Sequence, residues 1–320
     1  MTNVFGCGIV SNNQKTEKEY IMTQRDKNSK GGFKNIDARA DKLLAKRGIS
    51  GHVAADRFCD DFKAYLCYYA TKSGILGSAE QTLSLLEDDA NLVNSDIFNK
   101  NFRTTFEDLT PDILLNDAIF PKFFKQLLGN NGKGIGIGEL VLPLIINKYY
   151  FSVESDGKFA NGAKVEIKKD GASVKPVKKG LTDQGLVDKL NEKYFKGTVP
   201  GMKLKKLFDN HVSTVTDPKV YADYFKELYV GCDTTELAKE VATCYTNPTM
   251  FNNAVGKFAL KNYQLTDGWK NIFYINDVKM TLVNIADVED IDGLDLKFDP
   301  KFKRGKDTQA ISDGYVNVRI

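Results

Sequence analysis

The hydrophobic pattern of the first 130 residues predicts helices that follow an irregular lead-in. Residues 1–50 contain Gly31-Gly32, many Asn and Lys residues and little periodic hydrophobicity, which predicts an extended arm or a loosely packed lead-in. Thr110-Pro111-Asp112 predicts a later helix start, because it combines a capping hydroxyl, a first-turn proline and an acidic residue. Between these segments a helix is predicted, because apolar side chains recur at helical spacing at Ala54, Phe58, Phe62, Leu66 and Tyr69.

The centre of the chain changes to a strand pattern. Val165 and Ile167 alternate with Glu166 and Lys168, and this period of two predicts a half-buried strand with one apolar and one charged face. The preceding Asn161-Gly162 pair favours a tight turn that matches the twist of paired strands. A hairpin is therefore predicted to end in this strand.

Helical spacing returns over residues 182–265, and strand-like runs end the chain. These patterns predict an α/β fold with a mixed sheet flanked by helices, a helical N-terminal region and a helical insertion. We place an arm and helical region at residues 1–104 and an α/β domain at residues 105–320, with the insertion at about 182–265. The final runs, predicted to complete the sheet that begins near Tyr149, are residues 271–276, 279–285, 294–298 and 315–320.

Composition indicates a globular protein without a membrane partner. Hydrophobic residues make up 42% and charged residues 27% of the 320 residues, which allows a sizeable core. No segment approaches the roughly 18 uninterrupted apolar residues of a membrane span, and the first ten residues lack the pattern of a signal peptide. We expect a cytoplasmic or virion-borne protein that is not secreted by a signal peptide.

Several common kinds of site are not expected. Five cysteines form no CxxC pair, and His52 and His211 are the only histidines, which argues against a zinc site, a disulfide framework and a histidine-based triad. The glycine-rich loop at residues 129–138 lacks the Ser or Thr of a triphosphate-binding loop and follows a helical pattern where a dinucleotide site needs a strand. No nucleotide cofactor is expected, so carboxylates and lysines must supply any chemistry.

Positive charge is concentrated around the predicted hairpin, although the whole chain carries only +3. Residues 148–206 contain 14 lysines and 7 acidic residues. Such a local field attracts nucleic acid, although a solvated lysine-rich face gives the same pattern. The candidate DNA contacts are Lys158, Lys164, Lys169 and Lys175, with Arg304 and Lys306 in a later loop that also contains Gln309.

Acidic residues beside this basic region are candidates for holding a divalent cation. Hydrolysis of a phosphodiester needs a cation near the phosphate, and Asp and Glu oxygens suit Mg²⁺ or Mn²⁺. Asp156 can return to the hairpin edge that carries Glu166, and the Ile167 carbonyl is an acceptable further ligand. Glu154 shares a strand face with Asp156 and is an alternative ligand. Lys168 can orient or polarise an attacking water.

The order Gly138-Glu139, Asp156 and Glu166-Ile167-Lys168 resembles the PD-(D/E)XK nuclease superfamily in the form found in phage-encoded proteins. In that form a Gly-x-Gly-Glu helix precedes an Asp…Asn-Gly…Val-Glu-Ile-Lys hairpin. The resemblance covers residues 134–173 and implies a restriction-endonuclease-like fold. It also implies that Asp156 and Glu166 hold the metal, that Lys168 serves catalysis and that Glu139 adds a ligand.

Two positions depart from that pattern. Gly157 follows Asp156 where an apolar strand residue is usual. Pro143 falls four residues after Glu139, too deep for an undisturbed first turn if the helix starts at the glutamate. These positions indicate a kinked or loop-like entry at Glu139.

Two functional expectations from different classes follow. The first is a Mg²⁺- or Mn²⁺-dependent, phage-encoded nuclease that hydrolyses DNA through Asp156, Glu166 and Lys168 with assistance from Glu139. The alternative is a non-catalytic virion or assembly protein that keeps a nuclease-like fold and contacts DNA or other virion proteins. The long lead-in and the helical insertion favour this alternative, because extended arms often become ordered only on partners.

Overall fold

Helices and strands both build the fold, as the sequence patterns predict. The computed structural model describes residues 34–75, 77–128, 135–136, 138–176, 184–197, 199, 217–302 and 314–320. Its helices are α1 (Lys34–Lys46), α2 (Val53–Ser73), α3 (Ser78–Glu87), α4 (Phe106–Leu109), α5 (Asp112–Leu115), α6 (Phe120–Leu128), α7 (Leu142–Ile145), α8 (Gln184–Phe195), α9 (Pro218–Leu228), α10 (Thr235–Cys244) and α11 (Pro248–Asp267). Its strands are β1 (Phe102–Thr105), β2 (Tyr149–Phe151), β3 (Gly157–Phe159), β4 (Lys164–Lys169), β5 (Ser173–Val174), β6 (Asn271–Asn276), β7 (Thr281–Ile285), β8 (Lys297–Lys301) and β9 (Tyr315–Arg319).

The strands form two sheets. Six strands follow the order β1-β7-β6-β4-β3-β2, and three follow the order β5-β9-β8. The larger sheet is mixed, so the prediction of an α/β fold with a mixed sheet flanked by helices is confirmed. The C-terminal strands divide between the sheets: β6 and β7 join the sheet that contains β2, as predicted, whereas β8 and β9 pair with β5.

The chain divides into two compact units. The first contains residues 1–99, 104–167 and 277–282, and the second contains the remaining residues, which are 100–103, 168–276 and 283–320. The predicted boundary at residues 104–105 stays a prediction. Across the described ranges, no helix is both long enough and apolar enough to cross a membrane.

Residues 34–46 form helix α1, although the sequence pattern predicts an arm or loosely packed lead-in there. Arg39 donates to both carboxylate oxygens of Glu87 in α3, at 3.1 and 2.7 Å, and the buried Arg47 guanidinium donates to Asp89 at 2.8 Å. These bonds tie α1 to the end of α3. The surrounding Lys and Asn residues obscure the helical spacing of the apolar residues in this segment. Four of these apolar residues are fully buried: Ile36, Ala40, Leu43 and Leu44.

A buried aspartate starts helix α6. Asp117 Oδ1 accepts hydrogen bonds from the amides of Ile119 and Phe120, at 3.1 and 2.9 Å, and from Thr82 Oγ1 at 2.7 Å. Pro121 therefore falls in the first turn of α6, where its missing N–H costs no helical hydrogen bond. The predicted start at Thr110-Pro111-Asp112 produces only the single turn α5.

The second unit contains the predicted helical insertion, of which the structure describes α8 to α11. Tyr224 Oη donates to Asn191 Oδ1 at 2.9 Å, and Asn191 Nδ2 donates to the Phe302 carbonyl at 3.0 Å, so buried polar groups satisfy one another. Helix α11 approaches β8 closely, since a Cβ added at Gly256 would lie 2.1 Å from Phe298 Cγ. Only glycine permits this approach.

Candidate functional site

Strands β3 and β4 form the predicted hairpin. Gly157 pairs with Val165 and Lys158 with Lys164. The Phe159 amide donates to the Ala163 carbonyl at 3.0 Å, and the Gly162 amide donates to the Phe159 carbonyl at 2.9 Å. The connection therefore has three residues, 160–162, instead of the tight Asn-Gly turn that the sequence predicts. Gly162 supplies the left-handed conformation with a φ of +83°.

The hairpin brings Asp156 beside the strand that carries Glu166. Asp156 lies in the bend directly before Gly157, whose partner in β4 is Val165, the neighbour of Glu166. Asp156 Oδ2 also accepts the Ile167 amide hydrogen at 2.7 Å. The Asp156 carboxylate is thereby held against β4.

Both faces of β4 are covered at this point. Glu166 is 6% exposed, and its neighbours Val165 and Ile167 are 0% and 6% exposed. The sequence predicts a half-buried strand, which is wrong at Glu166 because the charged face is buried there as well. Buried carboxylates in proteins are compensated by opposite charges, hydrogen-bond donors or metal ions, because removing an unpaired charge from water is very unfavourable.

The geometry favours Asp156 over Glu154 as the partner of Glu166. Glu154 is exposed and precedes β3 in a bend, where its amide donates to Ser152 Oγ at 3.3 Å. Asp156 is half-buried and bonded to β4. Of the two acidic residues, Asp156 is the one whose carboxylate bonds the strand that carries Glu166.

Glu139 lies in a turn before α7 and not in a helix. Its Oε1 accepts the Gly136 amide hydrogen at 2.5 Å, so the side chain stabilises its own loop. Pro143 occupies the first turn of α7, which begins three residues after Glu139. The loop-like entry indicated by Pro143 is present, whereas the helix implied by the resemblance does not extend to Glu139.

Tyr149 belongs to this group, although no motif in the sequence gives it a role. Burial, followed by the negative charges of Asp156 and Glu139, raises the pKa of Tyr149 well above its usual value, so the phenol stays protonated. Its ring packs where Gly157 has no side chain, since a Cβ there would lie 1.8 Å from Tyr149 Oη. A glycine inside a strand is the signal that could have predicted this approach.

In the second unit, the Lys168 ammonium group lies 5.6 Å from the centroid of the Tyr263 ring. This distance is within the range of a cation–π interaction. Lys168 is half-buried and occupies strand β4 two positions after Glu166.

The predicted DNA-contacting lysines that can be placed are all exposed: Lys158, Lys164, Lys169 and Lys175. Arg304 and Lys306, with Gln309, lie outside the described residues, as does most of the glycine-rich loop at 129–138. Among the described residues, these four lysines therefore supply the positive charge that is predicted to attract DNA.

The donor atoms at the hairpin suit a hard cation. Within the described ranges, no group of three or more His, Cys, Asp and Glu side chains is arranged to hold a metal ion. Mg²⁺, however, commonly takes one or two carboxylates and keeps several waters. The carboxylates of Asp156 and Glu166, with the Ile167 carbonyl nearby in sequence, are donors of that type.

Comparisons of the chain with protein-family models, curated proteins and solved structures gave no match. The case for a function therefore rests on the geometry of the hairpin.

Proposed function

We propose that the chain binds nucleic acid at the β3–β4 hairpin and hydrolyses phosphodiester bonds with a divalent cation held by Asp156 and Glu166. The observation that supports this function best is the hydrogen bond from the Ile167 amide to Asp156 Oδ2 at 2.7 Å, which holds the Asp156 carboxylate beside the strand that carries Glu166. The exposed Lys158 and Lys164 lie in the same hairpin and favour an anionic ligand. The proposed substrate is DNA.

Each residue has a distinct part in this proposal. A bound Mg²⁺ or Mn²⁺ would stabilise negative charge on the phosphate and make water a better nucleophile. Asp156 keeps one orientation because the Ile167 amide holds its carboxylate. Glu166 contributes a carboxylate from a buried position. Lys168 is proposed to serve catalysis, and Glu139 to assist as a further ligand, on the resemblance to PD-(D/E)XK nucleases.

Supercoiled plasmid incubated with the purified chain is expected to be nicked in Mg²⁺ or Mn²⁺ and left intact in EDTA. Asp156→Asn should abolish nicking, because it removes the charge but preserves the shape, whereas Glu154→Gln should leave nicking unchanged. The reverse pattern would identify Glu154 as the ligand. A wild-type chain that is inert with both metals on plasmid, single-stranded DNA and RNA would exclude the catalytic proposal.

A non-catalytic role is the second candidate, and specific contacts favour it. The predicted catalytic groups already have structural partners: Asp156 bonds the Ile167 amide, Glu139 bonds the Gly136 amide, and Lys168 lies over Tyr263. A virion or assembly protein that contacts nucleic acid would use the same basic surface without cleavage. Stoichiometric copurification with particles, together with metal-independent binding and no cleaved product, would support this candidate.

A further inference from the structure

Tyr150, Lys158 and Lys164 form one row across three adjacent strands. The register pairs Tyr150 with Lys158 and Lys158 with Lys164. Directly opposite residues share a face at about 5 Å separation, so the row extends over roughly 10 Å. Both lysines are exposed and Tyr150 is half-buried. An aromatic ring and two cations therefore lie on one face of the strands.

The two lysines of this row face each other without a compensating group. Among the described residues, neither ammonium group makes an ion pair or a hydrogen bond. Like charges directly opposite each other destabilise an antiparallel pair. Other lysines in the same unit are paired, as Lys46 is with Asp89 at 3.1 Å. An anionic ligand across the row would remove the repulsion between Lys158 and Lys164.

We propose that this row binds single-stranded nucleic acid, with Lys158 and Lys164 on the phosphates and Tyr150 stacked on a base. Single-strand binding combines cationic side chains that follow the backbone with aromatic rings that stack on bases. A duplex presents the same phosphates, but its bases are already stacked on one another. The tyrosine beside the lysines therefore distinguishes the single strand from the duplex.

The row also has a fixed position relative to the acidic pair. Asp156 precedes Lys158 by two residues and Glu166 follows Lys164 by two, so both acidic residues lie toward the same end of the antiparallel hairpin. Two residues correspond to about 7 Å along a strand. A backbone held by the lysines would extend toward the end of the hairpin that carries the acidic residues. The inference deepens the proposed function by naming its substrate class, and only the cleavage step rests on that function.

Fluorescence anisotropy with a labelled oligothymidylate and with a duplex of equal length tests this inference. In EDTA, the single strand is expected to bind more tightly than the duplex. Because the measurement needs no metal, loss of binding and loss of hydrolysis are separate outcomes. Lys158→Gln and Lys164→Gln should each reduce the slope of log affinity against log salt by about 0.7, the value for one single-strand phosphate contact. The exposed Lys42 of α1 provides a matched control, and Lys42→Gln should change neither affinity nor slope.

Two further variants separate binding from folding. Tyr150→Leu should weaken binding about fivefold or more without changing the salt slope, since it removes stacking and no charge. Lys158→Glu should abolish binding yet raise the melting temperature, because it replaces a repulsive cross-strand pair with an attractive one. Equal or tighter binding of the duplex, or unchanged salt slopes in both lysine-to-glutamine variants, would overturn the inference. So would equally tight binding of inorganic polyphosphate that competes fully with the oligonucleotide.

Discussion

Glu166→Gln is expected to abolish metal-dependent nicking while leaving the fold intact. The substitution preserves the shape of a side chain that is only 6% exposed, but it removes one of the two proposed metal-binding carboxylates. The loss should exceed the roughly 10- to 100-fold effect of deleting an outer-shell partner of a metal ligand, because a direct ligand is removed. Initial rates of plasmid nicking over a range of Mn²⁺ concentrations measure this loss.

The same variant should have the opposite effect on stability when no metal is present. Asp156 bonds the amide of the residue next to Glu166, and neighbouring carboxylates repel, so Glu166→Gln is expected to raise the melting temperature in EDTA. The wild type should gain stability on adding Mn²⁺, because a ligand that binds the folded state stabilises it, and the variant should not.

Glu192→Gln provides the matched control, because Glu192 is exposed on α8. It should alter neither the nicking rate nor the response of the melting temperature to Mn²⁺. Nicking by Glu166→Gln at more than a tenth of the wild-type rate would contradict the assigned role of Glu166. A lower melting temperature of this variant in EDTA would indicate instead that Glu166 stabilises the fold through other partners.

Gly157→Ala is expected to destabilise the first unit by about 3 kcal/mol or more, above the usual range for overpacking. The new Cβ would lie 1.8 Å from Tyr149 Oη, 2.3 Å from Cζ and 2.9 Å from Cε2. Because the ring of Tyr149 is fully buried, it cannot move aside without displacing its neighbours, including Phe159 at a centroid distance of 5.1 Å. Urea denaturation of the variant and the wild type gives the difference in unfolding free energy.

Two other glycines separate this clash from the general effect of replacing glycine. Gly293→Ala should be nearly neutral, because nothing lies within 4 Å of the added Cβ. Gly162→Ala also meets open space, but its φ of +83° should cost about 1–2 kcal/mol. Tyr149→Phe should not rescue Gly157→Ala, since ring carbons still clash. In a Tyr149→Ala background, however, Gly157→Ala should lower the unfolding free energy much less than it does in the wild type. Equal stabilities of Gly157→Ala and Gly293→Ala would contradict the packing described for Tyr149.

Much of the fold could be predicted from local patterns. The apolar spacing that begins at Ala54 predicts α2, and the alternation at Val165 and Ile167 predicts β4, because each pattern records which side of an element is buried. Helix α1 was missed because its four core residues are few among polar neighbours. The division of the C-terminal strands between two sheets depends on long-range pairing, and no local spacing encodes it.

The residue types of the candidate site could be predicted from the sequence, but their burial and packing could not. The spacing of Asp156 and Glu166 around Asn161-Gly162 predicts a hairpin, and β3 and β4 form one. Asp156 bonds the amide of Ile167, the residue after Glu166. Burial of Glu166 could not be read from β4 alone, because the exposure of a strand face depends on tertiary packing, which the alternation of residues does not encode. The contribution of Tyr149 follows from packing against Gly157, which shows in the sequence only as an unexpected glycine.

Calorimetric titration of the wild type with Mn²⁺ tests the central claim most directly, because it measures the cation at the carboxylate pair independently of any substrate. We expect one binding site per chain, lost in both Asp156→Asn and Glu166→Gln and retained in Glu154→Gln. Absence of saturable Mn²⁺ binding to the wild type, or binding that survives both substitutions, would contradict the assignment of Asp156 and Glu166 as a metal site.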